Sequence, residues 1–101
     1  MDVIVTQALD IESDDIVVWK KLGETARDLE NYSVAKHAFS MALSKQPSHW
    51  ASLSNLAEIL YILGEYESAE YIIKELAFRL DPLWPRGHQL LELLKSDEQT
   101  T

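Results

Sequence analysis

A chain of 101 residues supplies one small domain. At 47% apolar and 26% charged it has the composition of a globular protein, and no apolar run approaches the ~20 residues of a membrane span. The net charge of -8 argues against unaided nucleic-acid binding and is compatible with a basic protein partner. Cysteine is absent, which removes disulfides and thiol chemistry. The N-terminus shows no basic stretch leading into an apolar core, so an intracellular protein is expected.

In chain order, Val3, Ile4, Val5, Ala8 and Leu9 make the apolar side of a truncated helix, the second of a preceding repeat. Ala8, Leu9 and Ser13 stand 34 residues before Ala42, Leu43 and Pro47, so residues 1–15 read as the end of a preceding repeat. Ser13-Asp14-Asp15 then offers a cap and negative charge to a helix over about 16–29. A partner helix runs over about 33–45 and stops before Pro47. Ser48 caps a third helix over 50–63, which Gly64 ends in the left-handed conformation. A fourth helix follows Glu65-Tyr66 and finishes near Leu80. Pro82 lies 35 residues after Pro47 rather than 34, which puts one extra residue in or just after that helix. Trp84-Pro85 opens a last helix to about Lys95, and a polar, fraying tail follows.

Trp19, Leu22, Gly23, Ala26, Tyr32, Ala35, Phe39, Ala42 and Pro47 carry the spacing of the 34-residue tetratricopeptide repeat. The pattern has a packing reason. Gly23 and Ala26 let a partner helix approach, and the large residues fill the seam. Leu53, Leu56, Ala57 and Leu60 repeat the registers of Trp19, Leu22, Gly23 and Ala26; Tyr66 and Ala69 repeat Tyr32 and Ala35. The expected fold is all-α, a tetratricopeptide-type α-solenoid of about six helices in antiparallel pairs. Residues 1–101 form a single domain: 1–15 end a preceding repeat, 16–49 and 50–84 are repeats, and 85–101 are a capping helix and tail. Trp19, Leu22, Phe39, Leu56, Ala69 and Leu91 are expected in the core. The open ends, Val3, Val5 and Leu9 on one side and Leu90 and Leu94 on the other, predict weak self-association.

No catalytic or metal site is legible. His37, His49 and His88 share no metal-ligand spacing, and there is no nucleophile elbow or glycine-rich phosphate loop. The expectation is a non-enzymatic protein that uses no cofactor and contacts neither nucleic acid nor membrane directly.

What remains is a binding face. In a tetratricopeptide stack the first helix of each pair lines an inner groove. Here those helices would present Lys20, Lys21, Glu24 and Arg27, then Ser54, Asn55, Glu58 and Tyr61, then Arg86 and Gln89. Lys20, Lys21, Arg27, Asn55, Tyr61 and Arg86 are the candidate partner-binding residues, and a solvated helix face is the competing reading. Such a groove suits an acidic or carboxylate-ended peptide. Lys20 and Asn55 match two positions of the carboxylate clamp of chaperone-tail adaptors, whereas Glu24 and Leu90 depart from it. Trp50 joins the candidates because no repeat register demands an aromatic there. It either faces a partner or packs over the loop beside Pro47.

Three longer pieces are more specific: Ser13-Asp14-Asp15-Ile16-Val17-Val18-Trp19, Ala35-Lys36-His37-Ala38-Phe39 and Pro47-Ser48-His49-Trp50. With Leu53, Asn55-Leu56, Leu60-Tyr61, Leu63 and Tyr66 they resemble the N-terminal region of the calcineurin-binding (cabin) family. The fungal counterpart of that family is the large subunit of the histone-regulator complex. Agreement weakens after Tyr71. The resemblance implies a fragment of a much longer nuclear scaffold. In that family the scaffold serves replication-independent deposition of histones H3–H4 and transcriptional repression. Its partners would be other subunits of the chaperone complex and histones. A peptide-tail adaptor is the alternative.

Overall fold

The carboxylate of Asp15 accepts a hydrogen bond of 2.9 Å from the Val17 amide and starts helix α1, Ile16–Asp28. Our computed structural model describes residues 14–100, with side chains to residue 96. The predicted helix over 1–15 therefore lies outside the described residues. Helix α2, Tyr32–Lys45, is capped by the Asn31 side chain on the Val34 amide. Helix α3 is Trp50–Ile62. Helix α4, residues 66–80, has α-helical turns at Tyr66–Tyr71 and Phe78–Leu80 around a π-helical segment, Ile72–Ala77. Helix α5 is Pro85–Thr100, longer than the expected stop near Lys95. All regular structure among the described residues is helical.

The π-helical segment accounts for the 35-residue proline spacing. A π-helix closes i→i+5 bonds, so it absorbs one extra residue without breaking the helix. The Phe78 amide donates to the Ile73 carbonyl, a bond of this class. Buried residues keep the 34-residue register up to Phe39 and Ile73, then shift to 35 at Ala42 and Ala77. The insertion therefore falls between Ile73 and Ala77.

Helices α1 and α3 end alike. After α1 the Glu30 amide donates to the Arg27 carbonyl and the Asn31 amide to Ala26; after α3 Gly64 donates to Tyr61 and Glu65 to Leu60. Each is a reversing cap whose central residue is left-handed. Gly64 has φ 80°, and Glu30, 34 residues earlier, holds φ 58° with a full side chain. One cap expectation fails. Ser48 does not cap α3; the N-cap position is His49, whose Nδ1 lies 2.7 Å from the buried Ser52 hydroxyl.

Each helix packs on its neighbour in the chain, and α1 also meets α3, and α3 meets α5. Lys45, at the end of α2, pairs at 3.1 Å with Asp14 just before α1, as antiparallel helices require. Close approach follows from small residues. A Cβ on Gly23 would lie 2.8 Å from the Phe39 ring, and one on Gly87 2.6 Å from Trp84. The main core joins Phe39, Leu53, Ile59, Ile73 and Leu90, while Trp19, Ala38 and Ala42 form a smaller cluster between α1 and α2. Trp19, Phe39, Leu56 and Ala69 are buried as expected; Leu22 and Leu91 are half-buried. Leu90 and Leu94 are not an open end. Both are buried in the core, because they point from α5 toward α3 and α4; Leu83 and Leu93 are the exposed leucines of that region.

Candidate functional site

The partner-binding candidates divide by what holds them. Arg27, near the end of α1, donates to the Asn55 side-chain oxygen on α3, and its guanidinium also lies 3.3 Å from Asp28. The Asn55 amide in turn donates to the Ala51 carbonyl at 2.7 Å, so this side chain is engaged on both ends. Arg86, in the first turn of α5, donates to Glu58 through Nε and reaches its second oxygen from Nη2 at 3.5 Å. A further bond of 3.2 Å joins Arg86 to Gln89. Hydrogen bonding by Glu58 is the largest influence holding the Arg86 guanidinium above its ordinary pKa. Partial burial opposes it, and the charges of Glu58 and Tyr61 reinforce it.

These residues border one cleft of about 450 Å³, where Arg27, Ser54, Asn55, Glu58 and Arg86 surround Tyr32, Ile59 and Trp84. The sequence thus brings Arg27, Asn55 and Arg86 together across three helices. Lys20 sits apart with Glu24 at 4.0 Å, Lys21 is exposed, and Tyr61 packs its ring 5.7 Å from Tyr66. Ion pairing is general. Every lysine and arginine other than Lys21 lies within 4.0 Å of a carboxylate among the described residues. Such surface pairs contribute little to stability, yet each partner acid cancels a charge that an incoming carboxylate would need.

Trp50 is half-buried and meets Trp84 edge-on, with ring centres 5.1 Å apart and planes at 78°. It packs against Trp84 in the loop leading into α5. Sequence reasoning lacked this contact, because Trp84 has no counterpart in the repeat pattern. Sequence reading also passed over a second cleft of about 410 Å³ between α2 and α4, floored by Leu56, Leu60 and Ile72. Its one sequence signal was the proline spacing that located an irregularity in α4.

Paired charges and open clefts thus line the described helical layer. The chain belongs to the CABIN1 N-terminal domain family, whose model matches residues 3–99. It is also 30% identical over 59 residues to a calcineurin-binding protein 1 of Arabidopsis thaliana. That match covers 58% of this chain and only 3% of the relative.

Proposed function

We propose that the chain is a tetratricopeptide-type docking segment of a nuclear, non-enzymatic scaffold that holds together a histone H3–H4 chaperone complex. Family membership over residues 3–99 carries this reading. Two features support the repeat architecture. The paired left-handed caps at Glu30 and Gly64 recur at 34 residues, and α1 and α3 both pack on the helix that follows and on the next odd-numbered helix. On this reading Arg27, Asn55 and Arg86, which border one cleft, face the groove used by a partner subunit.

The adaptor for peptide tails is the weaker reading, since Glu58, Glu24 and Asp28 already occupy cations that a carboxylate clamp would need free. The deciding experiment is co-purification from nuclear extract. Recovery of chaperone-complex subunits with histones H3 and H4 is expected. Heat-shock chaperones instead would favour the adaptor, and a catalytic chain would favour an arm of an enzyme.

A further inference from the structure

The cleft between α2 and α4 lies on a different side of α3 from the arginine-bordered groove. No packing comparable to that of the neighbouring helices joins α2 to α4, and the space between them stays open. Its floor is aliphatic: Leu56 and Leu60 of α3 and Ile72 of α4. Tyr71, 57% exposed, stands at its edge. This wall is also where α4 leaves α-helical geometry, since Ile72 is the first residue of the π segment. Such segments are over-represented where helices carry function.

The rim supplies the charge argument. Lys36 is neutralised by Glu65 at 2.6 Å. Glu67, exposed and lining the cleft, has no ion-pair partner among the described residues. The rim therefore carries one unbalanced negative charge on a chain whose net charge is already -8. An acidic ligand would be repelled. A segment offering an aliphatic side chain and a cation one turn apart meets both the floor and Glu67.

We propose that this cleft seats a basic amphipathic helix of a partner protein, with an aliphatic anchor on Leu56, Leu60 and Ile72 and a Lys or Arg against Glu67. The proposal does not depend on which complex the groove serves. The test titrates the isotope-labelled chain with a synthetic helical peptide, leucines on one face and lysines on the other, and follows amide shifts by NMR. Saturable shifts at Leu56, Leu60, Glu67, Tyr71 and Ile72 are expected, with none from a peptide carrying glutamates for lysines. Glu67→Lys should weaken binding by about tenfold, a rim charge being reversed. Ser40→Trp, which fills the cleft from its exposed wall, should abolish binding at unchanged helicity; Ser68→Trp serves the same purpose should the first variant melt early. Shifts at Arg27, Asn55 and Arg86, shifts spread over the whole acidic surface, or equal affinity of Glu67→Lys would overturn the proposal. So would concentration-dependent shifts at these residues without peptide, which would make a second copy the occupant.

Discussion

The first helical pair, α1 with α2, and the second, α3 with α4, are two versions of one plan, and they spend their local stabilisation differently. The first has side-chain caps at both starts, Asp15 and Asn31; neither His49 nor Glu65 makes such a bond in the second. The second has glycine at its left-handed reversal, where the first strains Glu30. The first keeps regular helices, while the second absorbs an extra residue as π-helix. Buried positions are nevertheless filled alike: Gly23 and Ala57, Ala35 and Ala69, Phe39 and Ile73. Packing across the seam is what the two pairs share, and end chemistry and helix type vary around it.

The hardest blow to this equivalence is Trp19→Ala. Trp19 is 1% exposed and anchors a cluster belonging to the first pair alone, so its loss should cost about 3–5 kcal/mol. Thermal unfolding read by circular dichroism checks it, and a change near zero would mean the first pair does not depend on its own cluster. Trp50→Ala comes next. It removes an edge-to-face contact with Trp84 plus partial burial, about 1–3 kcal/mol, seen as several degrees in Tm. A variant that melts like the parent but loses a partner would return Trp50 to the docking residues.

The two reversals allow reciprocal exchanges. Gly64→Ala should cost about 1–2 kcal/mol, all of it backbone strain, because no atom lies within 4 Å of the added Cβ. Glu30→Gly should gain up to about 1 kcal/mol, the relief being partly offset by the freedom of glycine in the unfolded chain. Denaturant midpoints of both variants measure the pair; a loss for Glu30→Gly would show that its side chain earns its place. The smallest effect belongs to the inserted residue. Deleting exposed Lys74 from the π segment should restore regular helix and leave ΔG within about 1 kcal/mol, the value of a surface ion pair. Collapse of the fold on deletion would give the π geometry an indispensable packing role.

Much of the fold was readable because packing imposes periodicity. Helix limits expected at 16–29, 33–45 and 50–63 compare with Ile16–Asp28, Tyr32–Lys45 and Trp50–Ile62. Proline spacing also located the irregular helix. Local chemistry near helix ends was less legible, since Ser48 and His49 can both follow a proline and only backbone conformation decides which caps. Leu90 and Leu94 were misassigned because a helix at the end of a pattern gives no hint which of its sides has a neighbour. The groove residues could be listed from register, but their pairing could not. Arg27 meets Asn55 and Arg86 meets Glu58 across 28 residues of sequence, where the match depends on rotamers and helix offset.

The Trp50–Trp84 contact also makes the molecule its own optical instrument. Two indoles with centres 5.1 Å apart and planes near perpendicular couple their electronic transitions, adding a paired band to the far-ultraviolet dichroism that helices do not produce. That band should vanish when α3 and α5 separate, even if both stay helical. Trp19, buried between α1 and α2 with the His37 ring 6.0 Å away, reddens its emission when that seam opens to water. The two ends of the domain thus report their opening in different spectroscopic channels, and comparing them would tell whether the chain melts in one step or from one end.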